Sequence, residues 1–187
     1  ADGAHSVYAT DVDGDGDVDV LSTSWHDHKI TWHENDGSES FSAHSISSSY
    51  LGASSVYAKD VDSDGDMDVL TASYADDKTA WYENNGSESF SAHTISTVAI
   101  ADKPRSVYAT DVDSDGDVDT LSASSNDDRI AWYENNGSES FTAHTITTSA
   151  EAAYDVYATD VDGDGDVDVL SAGDQIVWYE NDGSESF

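Results

Sequence analysis

The chain has 187 residues, with 40 Asp+Glu against 6 Lys+Arg and a formal net charge of −34. It contains no Cys, which removes disulfide scaffolds and thiol-ligated zinc or iron–sulfur centres. Lys/Arg clusters that could neutralise phosphates are missing, and no apolar run approaches the ~18–20 residues of a membrane helix, so neither nucleic-acid binding nor membrane insertion is expected.

In chain order, the first predicted strand (A) covers Ser6–Asp11, with Val7 and Ala9 in alternation. An acid-dense loop follows, then strand B at Val18–Ser24 and strand C at Lys29–Glu34, which carries Ile30 and Trp32. Asn35-Asp36-Gly37 supplies a turn with positive φ, and strand D covers Phe41–Ile46. The same order then returns. Asp11, Asp60, Asp111 and Asp160 open equivalent loops, spaced by 49, 51 and 49 residues. Trp32, Trp81, Trp132 and Trp178 each begin a Trp-(Tyr/His)-Glu-Asn-(Asn/Asp)-Gly-Ser-Glu-Ser-Phe segment. The chain therefore reads as four copies of one unit, with approximate bounds 1–49, 50–100, 101–149 and 150–187, in a single domain. The fourth copy stops at Phe187, where its strand D should begin.

Charge of this size could suit disorder, but the aromatic residues recur periodically and half the acid lies in the four loops. Four short strands per ~40–50-residue repeat predict an all-β fold, a β-propeller of four-stranded antiparallel blades whose last blade lacks its outer strand. The repeated Trp is expected to pack blade against blade rather than to stack on sugars.

Each loop reads Asp-x-Asp-x-Asp-Gly-Asp-x-Asp. The copies are Asp11, Asp13, Asp15, Asp17 and Asp19; Asp60, Asp62, Asp64, Asp66 and Asp68; Asp111, Asp113, Asp115, Asp117 and Asp119; and Asp160, Asp162, Asp164, Asp166 and Asp168. Five carboxylates in nine residues repel one another unless a hard cation sits among them, and alternate residues can turn oxygens inward as calcium requires. Positions 1, 3, 5 and 9 would give carboxylates. Position 7 would give its main-chain carbonyl, with its side chain left in solvent. Gly16 allows the sharp turn. The loop is not an EF-hand: Ser22 stands where the bidentate Glu should be, and the flanks are strands. Magnesium suits it less, since that ion keeps its waters in tight octahedral geometry. About one calcium per repeat, four per chain, is expected; four such ions add eight positive charges to −34 and leave −26.

With Asp-Val-Asp-Gly-Asp-Gly-Asp-Val-Asp-Val-Leu at 11–21 and its copies, the chain resembles the FG-GAP/VCBS repeats of integrin-type propellers over nearly its whole length. That resemblance implies calcium-binding loops and extracellular adhesion or recognition, with relatives among lectins and polysaccharide lyases. Family propellers usually have seven blades, against four units here. Three architectures fit: a four-bladed monomer, a two-chain ring in which a homo-oligomer completes the circle or its open edge, or a segment of a longer protein.

No hydrophobic leader core opens the chain, which fits a mature or an intracellular protein; weak calcium sites fill outside the cell and favour a secreted or cell-surface location. Strand alternation puts the acid loops and C–D turns on one edge and the B–C and D–A loops on the other. The D–A loops Ser47–Ser54, Ser96–Arg105 and Thr147–Tyr154 differ among the units. So do the B–C loops, where Trp25, His26, His28 and Tyr74 form the candidate ligand patch. His44, His93 and His144 recur and are read as structural. No unique nucleophile or acid–base pair stands apart from the repeat, so a non-catalytic, lectin-like module for a glycan or protein ligand is expected. The alternatives are a fragment of a polysaccharide-degrading enzyme and a structural spacer.

Overall fold

A computed structural model describes residues 2–49, 51–97 and 99–187; Ala1, Tyr50 and Val98, the last two within D–A loops, lie outside the described residues. Among the described residues there are fifteen strands and no helix. The first sheet comprises β1 (Ala4–Thr10), β2 (Asp19–Ser24), β3 (Lys29–Asn35) and β4 (Phe41–Ser47). The second comprises β5 (Ala53–Lys59), β6 (Asp68–Ser73), β7 (Lys78–Asn84) and β8 (Phe90–Ser96). The third comprises β9 (Pro104–Thr110), β10 (Asp119–Ser124), β11 (Arg129–Asn135) and β12 (Phe141–Thr147). The fourth has only β13 (Asp155–Thr159), β14 (Asp168–Ala172) and β15 (Ile176–Tyr179). Every sheet is an antiparallel meander in sequence order.

Strand limits shift slightly from the sequence expectation. Strand A begins earlier, at Ala4 in the first unit, and stops at Thr10, because Asp11 already turns its carboxylate onto the loop. Strand B begins at Asp19, leaving Val18 outside it and exposed.

The sheets stack face to face in chain order, with β1 against β5, β5 against β9 and β9 against β13. Each junction repeats one recipe. The preceding sheet contributes its loop Val, its strand-B Leu and its strand-C Trp; the following sheet contributes its strand-A Val and Ala. At the first junction these are Val12, Leu21 and Trp32 against Val56 and Ala58. At the second they are Val61, Leu70 and Trp81 against Val107 and Ala109. At the third they are Val112, Leu121 and Trp132 against Val156 and Ala158. In the two central units, strand B is therefore buried on both faces, as β6 and β10 show. Buried Ser and Thr alternate with the aliphatics there, small enough for sheets to approach closely.

Trp32, Trp81 and Trp132 are 1–2% exposed, as packing residues should be. Trp178 departs from that expectation. It is 43% exposed, on a face of the fourth sheet that no other sheet among the described residues covers. On the first strand of each sheet, Tyr8, Tyr57, Tyr108 and Tyr157 form a ladder, with successive ring centroids 4.7–4.8 Å apart. Burial raises the pKa values of the Tyr57 and Tyr108 hydroxyls.

Candidate functional site

The acid loops are preshaped by their own backbone. In the third unit, Asp111 Oδ2 accepts from Gly116 N–H at 3.0 Å, Asp113 Oδ1 from Asp115 N–H at 3.1 Å and Asp115 Oδ1 from Asp117 N–H at 2.8 Å. The other three loops repeat these bonds. Asp60 and Asp111 spend one oxygen on the turn and keep the other for the centre, whereas Asp11 and Asp160 give both oxygens to turn N–H groups. Side-chain oxygens of Asp11, Asp13 and Asp15, and of Asp111, Asp113 and Asp115, lie within 4.8 Å of one another. So do those of Asp60, Asp62 and Asp68, and of Asp160, Asp162 and Asp168. Positions 1 and 3 thus converge in every loop, joined by position 5 in the first and third loops and by position 9 in the second and fourth.

The donor set is oxygen only, which fits a hard cation. A sharper observation comes from the first position. Asp60 Oδ1 and Asp111 Oδ1 are buried and have no hydrogen-bond partner. In the first and fourth loops the equivalent oxygen accepts from the N–H of Gly14 at 2.8 Å and Gly163 at 2.6 Å. Ser63 and Ser114 stand at that place in the other two loops. A buried carboxylate oxygen without a donor is costly, and a cation would satisfy it.

Two loop positions behave differently from the sequence expectation. Asp19, Asp68, Asp119 and Asp168 are wholly buried and act first as clamps. Asp119 Oδ2 accepts from Val112 N–H at 2.9 Å and Oδ1 from Asn135 N–H at 2.8 Å, tying the loop to the end of strand C. The other three units copy this bridge. Burial pushes the carboxyls of Asp68 and Asp119 up to about 7 despite those donors. Burial also raises Asp168, but there the N–H groups of Asn181 and Val161 outweigh it and the carboxyl ends below the usual range. Burial, reinforced by neighbouring aspartates, raises the pKa values of Asp13, Asp62 and Asp113.

The second departure is Asp17 with its equivalents Asp66, Asp117 and Asp166, whose side chains do not simply stay in solvent. They lie against the glycine of the C–D turn. A Cβ on Gly137 would stand 2.5 Å from Asp117 Oδ2, and one on Gly183 would stand 2.7 Å from Asp166 Oδ2. Loop and turn share one edge of the sheet, and glycine lets them touch.

The opposite edge carries the residues that do not repeat. Trp25 N–H donates to Gly3 O, just before β1, at 2.8 Å and Tyr74 N–H to Gly52 O at 3.0 Å, so each B–C loop pairs with the segment that leads into its own sheet. The rings of Trp25 and Tyr74 lie 5.0 Å apart, which brings together two of the candidate residues from adjacent units. His28 Nδ1 accepts from Gly52 N–H at 3.2 Å and is occupied in the scaffold. His26 is exposed, with Nδ1 3.5 Å from Asp2 Oδ1. Three further residues extend the patch. The His5 ring is 5.3 Å from Trp25, and the Arg105 guanidinium lies 4.5 Å from the Tyr74 centroid and 4.6 Å from Tyr154. A row of aromatic and cationic groups therefore crosses all four units. The repeated His44, His93 and His144 each bond a strand-C Glu at 2.7–2.8 Å and cover the neighbouring Trp ring at 4.6–4.8 Å.

A family model for the FG-GAP-like repeat matches residues 11–71, 60–122 and 111–171, each match running from one acid loop through the next. The chain belongs to the FG-GAP-like repeat family. A search of curated protein sequences finds no match. Among solved structures, this FG-GAP-like chain is similar to an Agrocybe aegerita lectin solved for specific recognition of non-reducing terminal N-acetylglucosamine. The two share 18% identity and a TM-score of 0.66, over 99% of this chain and 51% of the lectin's. It is also similar to the V. cholerae biofilm matrix protein Bap1, with 21% identity and a TM-score of 0.57 over 89% of this chain and 23% of Bap1. Rhamnogalacturonan lyase YesW shares 12% identity and a TM-score of 0.54, over 91% and 41% of the two chains. At these identities the likeness is one of fold. The FG-GAP-like chain spans about half the length of the lectin.

Proposed function

We propose that the chain is a calcium-stabilised β-propeller arc that serves, outside the cell, as a non-catalytic recognition module for a glycan. The observation that carries this reading is the division of labour between the two edges. All four units place the same acid loop on one edge, where Asp60 and Asp111 keep buried oxygens without donors. The other edge gathers Trp25, Tyr74, Arg105 and Tyr154, whose residue types change from unit to unit at equivalent positions.

In this reading positions 1, 3, 5 and 9 of each loop offer carboxylates to calcium and position 7 its carbonyl. The ion removes the repulsion among the aspartates and stiffens the frame. An aromatic platform beside a guanidinium and imidazoles suits the apolar face and hydroxyls of a sugar. The lectin and biofilm-matrix neighbours support recognition outside the cell.

Metal analysis of the purified chain should give about four calcium ions, and chelation should lower its melting temperature. A glycan array that includes terminal N-acetylglucosamine should show binding, weakened several-fold by Trp25→Ala. Array silence with a calcium-loaded, folded chain would remove the lectin reading. Cleavage of an array polysaccharide would replace it with the enzyme reading.

A further inference from the structure

The chain carries 6 Lys+Arg against 40 Asp+Glu, and these few cations are not spread evenly. Lys29, Lys78 and Arg129 begin β3, β7 and β11, and Lys103 and Arg105 stand at the start of β9, so five of the six lie on the edge opposite the acid loops. Lys29 and Arg129 pair with Asp27 and Asp127, at 3.8 and 3.2 Å. Lys103 and Arg105 form no ion pair among the described residues. Both lie over the Tyr74 ring instead, with Lys103 Nζ 5.2 Å and the Arg105 guanidinium carbon 4.5 Å from its centroid.

Arg105 also has a place built for it. The third unit has Ser125 where the first two have Trp25 and Tyr74, and Arg105 Nε donates to Ser125 Oγ at 3.0 Å. The guanidinium then reaches Tyr154, 4.6 Å away, so a cation stands where the aromatic row would otherwise break. Stacking occupies the faces of a guanidinium and leaves its outer N–H groups pointing from its rim. The carboxylates nearest in sequence are spent on the scaffold. Asp76 accepts from Leu51 N–H at 2.7 Å, Asp77 from Lys103 N–H at 3.0 Å and Asp102 from Asn126 Nδ2 at 2.6 Å. The acid loops lie a strand length away, about 20 Å for six or seven residues, against a Debye length of about 8 Å in physiological salt.

We infer that the glycan bound on this edge is acidic, and that Lys103 and Arg105 hold its carboxylate or sulfate while the aromatic row meets its rings. The inference rests on the glycan reading and adds the charge of the ligand. A planar guanidinium matches two oxygens of a carboxylate or sulfate at once, and an ammonium beside it adds a point charge. A neutral sugar would leave both charges without a counterpart, in a chain whose net charge is −34.

The test is calorimetric titration at fixed ionic strength with calcium in excess. The probes are a galacturonate trimer, a sulfated heparin-type disaccharide, a neutral N-acetylglucosamine trimer and a short glutamate peptide. At least one acidic sugar should bind about tenfold or more tightly than the neutral trimer, and which one does so tells carboxylate from sulfate. Lys103→Gln combined with Arg105→Gln should abolish that preference with an unchanged circular dichroism spectrum, and Lys103→Gln alone should reduce it. Lys59→Gln makes the same charge change at an exposed site beside an acid loop and should preserve it. A neutral trimer that binds as tightly as both acidic sugars overturns the inference and leaves the glycan reading standing. An acidic preference that survives the double substitution in folded protein also overturns it, since the anion then sits elsewhere. So does a glutamate peptide that binds as tightly as the acidic sugars, which would make the partner a protein. A folded chain that binds none of the sugars removes the glycan reading and this inference with it.

Discussion

Asp119→Ala tests whether the ninth loop position holds the fold together before it holds an ion. The carboxylate is wholly buried and accepts two backbone N–H bonds, from Val112 and Asn135. Alanine leaves both donors buried and unpaired, at about 1–3 kcal/mol each, hence roughly 2–6 kcal/mol in all. Removing a buried charge returns part of that loss once the pH exceeds the carboxyl's value of about 7. For a chain of this size, about 2–4 °C of melting temperature goes with each kcal/mol, so the metal-free variant should melt roughly 5–20 °C below wild type. The assay is a thermal melt followed by circular dichroism, run in chelator and again in calcium. The matched variant is Asp113→Ala, whose carboxylate is only partly buried and bonds Asp115 N–H within its own turn. It should change little in chelator, yet bind one calcium fewer. If Asp119→Ala melts within roughly 2 °C of wild type in chelator, the clamp is not structural and the reasoning fails.

Three more outcomes follow from the same geometry. Trp132→Ala should cost about 3–5 kcal/mol in denaturant melts and Trp178→Ala clearly less, since one ring is sealed in a junction and the other is 43% exposed. In chelator, stability should fall as the pH rises from about 5 to about 8. Folded Asp68 and Asp119 keep their protons up to about 7 while the unfolded chain loses them near 3.8, so protons favour the folded state across that window. Calcium, which takes the protons' place, should flatten that slope, and a metal-free melting point that rises with pH would contradict the assignment. Gly137→Ala should destabilise by about 1–3 kcal/mol in the same melts, because φ is +69° there and the methyl group meets Asp117.

The repeat and the loops were legible because they are written in spacing. Alternating Val7 and Ala9, the Asn-Asp-Gly turn and four evenly placed Asp clusters need no long-range contact to be recognised. The division of the two edges also followed from strand direction alone. What the sequence did not reveal depends on which sheet meets which. Trp178 carries the same local motif as Trp132, and only the missing neighbour exposes it. Tyr8, Tyr57, Tyr108 and Tyr157 sit at one repeat position, but their ladder exists only because the sheets stack in order. Arg105 was one cation among few, and nothing local said that it would lie between Tyr74 and Tyr154. Nor does an alternating Asp pattern separate an ion ligand from a clamp. The separating fact is a bond to Asn135, sixteen residues on.

If the loops hold calcium as proposed, a few atoms couple ion binding to sheet stacking, and that coupling predicts where the metal-free chain loosens first. Asn84 Nδ2 donates to Val12 O at 3.3 Å, and Asn135 Nδ2 donates to Val61 O at 3.2 Å, so the acid loops of the first two units are held by the units that follow them. Val12 and Val61 are flanked on both sides by aspartates of their loops. Asp13 and Trp32 also share a cleft with Asp66 and Glu88 of the next unit, so repulsion adds across the junction as well as within the loop. On the proposed reading, calcium in the loops would relieve both at once. Removing it should therefore open the seams between sheets before the ladders within them. The reporters are the amides of Val56 and Val107, which donate across the junctions to Ser6 Oγ and Ser55 Oγ at 3.3 Å. In hydrogen exchange, chelator should accelerate these two amides more than those of Leu70 and Leu121 on the central strands. Equal acceleration of all four would mean that the ions stabilise each sheet separately, and that the loops do not stitch the units together.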